Sequence, residues 1–189
     1  MTFRKLWSWE WGQHRAHLLR LAPEDRRLRF CRAVSDDFIH RYCDQIDRSQ
    51  TTLVGCFVNG TLRGVAELVR IPEGVPVSAE IALSVESDFQ AQGIGGKLLE
   101  KALLFARNRF VDTVHMISLR ENESVQHLVR KFGANIGAYG LTTNGRIHLP
   151  SPSYVSLIDE ITADGQALVS AVFEPPVEQI MRNAALEHR

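Results

Sequence analysis

Cysteine is scarce in this chain: Cys31, Cys43 and Cys56 are the three thiols in 189 residues. The number is odd, and no Cys-x-x-Cys pair or Cys/His spacing accompanies them, so neither a disulfide framework nor a metal site is expected. They read as free buried thiols in a reducing compartment. Nothing approaches the roughly 18 consecutive apolar residues of a membrane span, and no membrane partner is expected. An excess of one charge is missing too, since 22 Lys+Arg balance 22 Asp+Glu for a formal net charge of +0. Gripping a phosphate backbone takes a surplus of cations, so no nucleic-acid partner is expected either. Repeats and low-complexity tracts are lacking. Met1 to Trp11 has no apolar centre and no small-residue cleavage site, so no secretory signal is read there and a cytoplasmic location is expected. What is present is 44% hydrophobic and 23% charged residues, the composition of a globular domain able to bury a core without cross-links.

Trp7, Trp9 and Trp11 alternate, which is the period of a strand with three indoles on one face. Residues 1–12 are therefore set apart as a Trp-rich N-terminal extension packed on the domain, with a homodimer or partner surface as the functional alternative. Gln13 to Leu21 reads as a first strand. Pro23-Glu24-Asp25 and Ser35-Asp36-Asp37 open two helices, the second with the apolar stripe Phe38, Ile39, Tyr42 and Ile46. Arg26, Arg27, Arg29 and Arg32 read as a solvated face, with the gripping of an acidic group as the weaker alternative. Thr51–Val58 and Thr61–Arg70 flank Asn59-Gly60, a hairpin signal. Ala79–Val85 and Thr113–Leu119 are further strands, and the helix between them makes the two parallel neighbours. That helix shows apolar residues at Leu99, Ala102, Leu103, Ala106 and Phe110. A short helix carries Val125, Leu128, Val129 and Phe132 and stops at Gly133, and Asn135–Leu149 reads as two closing strands around a turn at Asn144-Gly145. Residues 13–149 form the main domain and 150–189 a helical extension. In the latter, Tyr154, Ile158, Ile161, Leu168 and Val172 line one helix, or two broken at Asp164-Gly165. Pro175-Pro176 ends it, and a polar tail frays beyond.

The stretch that carries chemistry runs from Val85 through Gln90-Ala91-Gln92-Gly93-Ile94-Gly95-Gly96-Lys97. A strand enters a glycine-rich turn, which opens an amphipathic helix. Its first amides are unpaired and face the positive end of the helix dipole, an arrangement suited to phosphate. Two better-known phosphate loops fail on single residues. The Walker loop needs Gly at position 91 and a hydroxyl after Lys97, where Ala91 and Leu98 stand. The dinucleotide fingerprint needs a third Gly where Leu98 stands, and the turn follows a meander rather than opening a βαβ unit.

Gln90-x-x-Gly93-x-Gly95 resembles the acyl-CoA pyrophosphate motif of the GNAT superfamily of N-acetyltransferases. Asn122-x-x-Val125-x-x-Leu128-Val129-x-Lys131-x-Gly133 is similar to that family's second motif. Ala79-Glu80-Ile81-Ala82 resembles the motif strand of bacterial protein-lysine acetyltransferases. The likeness covers about Gln13 to Leu149. It implies an α+β fold: a mixed, mostly antiparallel sheet flanked by helices, with two parallel strands splayed at the cofactor site. It further implies acetyl-CoA as cosubstrate and a primary amine, on a protein lysine or a small molecule, as acceptor. Backbone groups of Leu83, Ser84 and Val85 would bond the pantetheine arm as an added strand. Amides from Gln90, Ala91, Gln92, Gly93, Ile94, Gly95 and Gly96 would cradle the pyrophosphate, with Lys97 adding charge and Asn122 facing the arm while capping its own helix.

An ammonium with a pKa of roughly 10 must lose a proton before it attacks, so a base helps. The resemblance puts that base at Glu80. Glu67, one strand earlier, is the second candidate, although a satisfied strand glutamate explains it better. A backbone N–H at Val85 or a neighbour would hold the oxyanion. Where many relatives carry a tyrosine as general acid, Val129 stands here. A thiol pKa of roughly 8.5 lets the thiolate leave unaided. Tyr139 and Tyr154 are substitutes for which core or capping roles fit better, and His115 and His127 read as structural. Glu73, Glu80 and Glu86 could shape a cationic acceptor site, although a solvated loop explains two of them. The alternative from another class is a non-catalytic acyl-CoA sensor.

Overall fold

In the computed structural model, which describes residues 1–71 and 74–173, seven strands of the described residues pair into one sheet: β1 (Thr2–Lys5), β2 (Thr51–Val58), β3 (Thr61–Ile71), β4 (Ser78–Val85), β5 (Thr113–Leu119), β6 (Asn135–Tyr139) and β7 (Thr142–His148). Their order across the sheet is β1-β2-β3-β4-β5-β7-β6. Every pairing is antiparallel except β4 with β5. Among the described residues six α-helices flank the sheet: α1 (Trp11–Arg20), α2 (Pro23–Phe30), α3 (Asp36–Gln45), α4 (Ile94–Asn108), α5 (Glu123–Lys131) and α6 (Tyr154–Phe173). This is the mixed α+β architecture expected.

The sheet is covered on both faces, and its pleat decides which residue meets which layer. Leu98, Leu99, Ala102 and Ala106 of α4 pack on Val54, Ala66, Leu68, Ile81, Val114 and Met116. On the other side Leu18, Leu21 and Ile39 join α1 to α3, with Phe30, Phe38 and Tyr42 against them. Glu67 pairs with Ala82, and Val69 with Glu80. The two acidic residues therefore share the face that α1 and α2 cover.

Three expectations are corrected. The segment Gln13–Leu21 is helical, and the strand ahead of it is β1, outside the stretch expected to be a strand. The tryptophans do not form a strand either. Glu10 draws Arg4 in by two hydrogen bonds of 2.7 Å and accepts from the Trp7 amide at 3.0 Å, closing residues 7–10 into a turn. Trp7 and Trp9 stack there with ring centroids 5.5 Å apart, while Trp11 packs on the cluster of Leu6, Leu53 and Phe57. Asn144-Gly145 lies inside β7, and the β6–β7 turn passes through Gly140. Gly145 sits under α5, where a Cβ would approach Val129 to 3.1 Å. Close packing, not a turn, therefore calls for this glycine.

Of the two readings of the C-terminal segment, the single helix holds: α6 runs through Asp164-Gly165 unbroken. Its predicted stripe points outward: Tyr154 is 88% exposed, and Ile158 and Ile161 are also exposed. Its first turns are tied down by polar groups: Asn108 donates to the Ser156 carbonyl at 2.8 Å and to Glu160 at 2.7 Å, and Arg109 pairs with Glu160 at 3.0 Å. The side chains of Leu168 and Val172, the tail from Pro175-Pro176 and the loop residue Glu73 lie outside the described residues. Among the described residues no helix is long and apolar enough to cross a membrane.

Candidate active site

The parallel ladder between β4 and β5 is short. Ser78 pairs with Thr113, Ala79 with Val114 and Glu80 with His115, and there it ends, although both strands continue. Beyond Glu80 the strands part, and a cavity of about 440 Å³ opens between them. Ile81 to Val85 line it from one strand, Met116 to Ser118 from the other, and Asn122, Val125 and Leu128 of the α5 region close one side. A pair of splayed strands leaves backbone donors and acceptors facing a gap that an extended amide chain can fill.

At the end of β4 the cavity runs into the glycine-rich turn. Gly93 has φ 78° and Ala91 φ 57°, two left-handed residues in the turn that leads into the N-terminus of α4. Gly93 also caps α4, and no side chain occupies the first amides of that helix. The turn is tied to α2: Asp25 accepts from Gln90 Nε2 at 2.9 Å and from Ser87 Oγ at 2.6 Å, and Gln90 Nε2 also donates to the Val85 carbonyl at 3.0 Å. Leu83, Ser84, Val85, Gln90, Ala91, Gly93, Ile94, Gly95, Gly96 and Asn122 all line the cavity. Asn122 also caps α5, accepting from the Val125 amide at 3.2 Å. Gln92 and Lys97 are not among the lining residues: the Gln92 side chain donates to the Asp88 carbonyl at 3.1 Å, and the Lys97 ammonium sits over the Phe3 ring, 5.7 Å from its centroid.

The carboxylates separate by environment. Glu80 is half-buried on the last rung of the parallel ladder, where the gap begins, although it is not itself a lining residue. Burial raises the nearby Cys31 thiol; Arg29 opposes this and the Glu80 charge adds to it. Glu67, by contrast, is 2% exposed and fully engaged. Arg29 donates to it at 2.8 Å and Tyr42 at 2.8 Å, with His14 Nε2 at 3.6 Å. Glu86 is buried, not solvated, and accepts from His17 at 3.2 Å, Arg20 at 2.9 Å and Arg63 at 2.7 Å. Burial works against its charge, but the His17 and Arg63 hydrogen bonds and the Arg20 charge hold Glu86 down at about 2. It has no room for a cationic acceptor.

The arginine face is also revised. Arg29 is buried on Glu67 and lines the cavity, and Arg26 donates to the carbonyls of Leu19 and Leu21. Arg27 pairs at the surface with Glu24 and Glu121. Val129 is buried under β7, and Tyr139 and Tyr154 lie outside the cavity lining. His115 meets Asn144 at 3.2 Å, whereas His127 does line the cavity. The three cysteines are free, with Cys56 buried and Cys31 and Cys43 half-buried.

Sequence reasoning missed His14 and His17. Burial, then Arg29 and His17, push His14 down to about 3, and burial likewise lowers His17. The signal was the helical spacing of His14, His17, Leu18 and Leu21, obscured because a buried histidine scores as polar.

Residues 3–134 match the sequence model of the acetyltransferase (GNAT) family. The solved GNAT domain of Streptomyces lividans PAT superposes with a TM-score of 0.66 at 18% identity, over 78% of this chain and 89% of that one. The PaiA N-acetyltransferase of Thermoplasma acidophilum, solved with coenzyme A, gives 0.59 at 20% identity over 78% and 98%. The Salmonella typhimurium protein yncA, solved with acetyl-CoA, gives 0.59 at 16% over 81% and 96%. These likenesses are in fold.

Proposed function

This chain belongs to the GNAT family of acetyltransferases, and on that premise we propose that it moves an acetyl group from acetyl-CoA directly to a primary amine. The observation that carries this reading is the parting of β4 and β5 after one short ladder, with the cavity running from that gap to the glycine turn around Gly93 at the start of α4. The pantetheine arm would lie along Leu83, Ser84 and Val85. The pyrophosphate would sit on the amides from Gln90 to Gly96, with Asn122 facing the arm.

The thioester would then lie toward the last ladder rung. An amine with a pKa of roughly 10 is about one part in a thousand neutral at pH 7, so the attacking nitrogen needs a proton acceptor. Glu80 stands at that rung and takes the proton, directly or through one water. Glu67 is not available, because Arg29 and Tyr42 already occupy both its oxygens. A β4 backbone amide beside the thioester holds the oxyanion, and the thiolate leaves without a general acid, since Val129 supplies none. Lys97 is left out of this site, being turned toward Phe3.

Thiol release from acetyl-CoA against pooled amines, lysine peptides and aminoglycosides tests the reading. Glu80→Gln is expected to lower turnover by about 100-fold, in the range of general-base contributions, while acetyl-CoA affinity is kept. Full turnover in that variant removes Glu80 as the base. Absence of acetyl-CoA binding by the wild-type chain overturns the proposal.

A further inference from the structure

Arg29 is a buried cation in the cavity wall, and its hydrogen bonds use only part of it. The side chain is 8% exposed. Nη2 donates to Glu67 Oε2 at 2.8 Å and to the Tyr42 hydroxyl at 3.1 Å. Nε is enclosed and has no partner among the described residues. Nη1 donates to none of them either and is not enclosed, so it is the edge of the guanidinium that the cavity meets. A charged donor left unused in a cavity wall asks for an acceptor. We propose that Arg29 Nη1 binds a carboxylate of the acceptor, so that the amine to be acetylated belongs to a free amino acid rather than to a lysine side chain in a protein. The proposal rests on the transferase reading and names the substrate class of that site.

The placement of Arg29 brings that carboxylate near the reacting nitrogen. On α2, Asp25 holds the glycine turn, and Arg29 lies one helical turn further, roughly 6 Å along the axis. Glu67, which holds Nη2, is the ladder partner of Ala82, and Glu80 stands two residues before Ala82 on the same face of the sheet. Two strand residues span roughly 7 Å. A separation of that order is bridged by an ammonium and a carboxylate one or two carbons apart, each adding a hydrogen bond of about 2.8 Å. Cys31 ends α2 beside both groups. Burial raises its thiol, and the charges of Arg29 and Glu80 act on it in opposite senses.

Charge selects the same class of acceptor. His14, 3.6 Å from Glu67, is held neutral by burial, and burial pushes the Tyr42 hydroxyl up, so it stays a phenol. Arg29 is therefore the charge that balances Glu67, through one of its three nitrogens. A guanidinium has five donors and can serve a second carboxylate from another edge, whereas a simple alkylamine brings nothing for Nη1 to hold. Glu80 and Arg29 thus offer opposite charges to the two ends of a zwitterion. Once the ammonium has lost its proton, the carboxylate still anchored on Arg29 fixes the approach of the nitrogen to the thioester. Arg29 itself takes no proton and acts by positioning.

The test gives the full chain acetyl-CoA with two pools of the same amino acids, one free and one as carboxamides, and with a lysine peptide blocked at both ends. Amidation removes the anion that favours the charged amine, so more of the carboxamide is neutral at pH 7 and basicity works against the expected result. The most active amino acid and its carboxamide are then measured singly. The free acid is expected to have a kcat/KM roughly tenfold higher or more, and Arg29→Lys, which keeps a cation on Glu67 but lacks the planar fork, should bring the two within about twofold, chiefly through KM. Should that variant not fold, Arg29→Met with Glu67→Met removes both buried charges together and carries the same expectation. The pools are also added in thermal melts, because a ligand bound only by the folded chain raises its Tm. Carboxamides or the blocked peptide acetylated as fast as the free acids, or an acid preference that persists in the Arg29 variants, overturn the carboxylate site and leave the transferase reading intact. Free acids that raise the Tm of the wild-type chain but not of the Arg29 variants, in a protein that releases no thiol, support the site and remove the transferase reading. No thiol release and no shift in Tm with any pool overturns both.

Discussion

Ala91 and Gly93 both hold positive φ angles in the turn that would face a diphosphate, and only one of them is a glycine. A left-handed angle costs an ordinary L-residue roughly 1–2 kcal/mol, so the turn already carries strain at Ala91 that Gly93 avoids. A Cβ at Gly93 would meet nothing within 4 Å, so its effect is conformational and not a clash. Gly93→Ala is thus expected to lower stability by about 1 kcal/mol and to weaken acetyl-CoA binding by more than that strain alone, because a shifted turn would re-aim the first amides of α4. Gly140→Ala, at φ 58° in the β6–β7 turn and also with open space for a Cβ, provides the comparison. It should cost similar stability in thermal melts and leave a CoA titration unchanged. Equal loss of CoA affinity in both variants would remove the special role of the turn.

At the scale of elements, legibility followed the type of residue each element buries. The β2–β3 hairpin and the helix α4 bury aliphatic side chains at their own period, and both were read from the sequence close to their observed bounds. The element β1 was not, because its buried residue is Arg4, satisfied by Glu10 and stacked 3.8 Å over the Phe57 ring. The helix α1 buries His14 and His17 beside Leu18, and α2 buries Arg29. A pattern of apolar residues cannot register charges whose partners arrive from another strand. The same fact explains the candidate site: the glycine turn and Asn122 are local motifs and were legible, whereas the Arg29–Glu67 and His17–Glu86 contacts span 38 and 69 residues. Removing one partner of such a pair strands the other charge. Glu67→Ala is therefore expected to cost about 3 kcal/mol in urea denaturation, since it leaves the Arg29 guanidinium buried. A change below about 0.5 kcal/mol, the range of an ordinary surface substitution, would show that water reaches Arg29. The contrast with Glu80→Gln is useful, because that variant should lose turnover and keep its stability.

For the whole molecule, ligand and proton binding are both expected to move the folding equilibrium, and each has a defined sign. Acetyl-CoA that binds only the folded chain adds about 2.7 kcal/mol at 100 times its Kd, a rise in Tm of roughly 5–10 °C for a domain of this size. Protons act in the opposite direction. The folded value of His14 is about 3 against an ordinary 6.5, and burial lowers His17 as well, so below pH 6.5 the unfolded chain binds protons that the folded chain refuses. Each such histidine removes up to roughly 1.4 kcal/mol of stability per pH unit as the pH falls, starting at the unfolded value and ending only at the folded one. Glu86 adds the same sign lower down, between 4.5 and about 2, as its hydrogen bonds from His17 and Arg63 are lost on protonation. The urea midpoint should therefore fall steadily from pH 7 to pH 5, before most carboxylates titrate. His14→Gln, which cannot take up the proton, should flatten that fall over the same interval, whatever it does to stability at pH 7. A midpoint that is level from pH 7 to pH 5 in the wild-type chain would mean that α1 admits a charged histidine, and that its packing over Glu67 and Ser84 is looser than the distances of 3.6 Å and 2.9 Å describe.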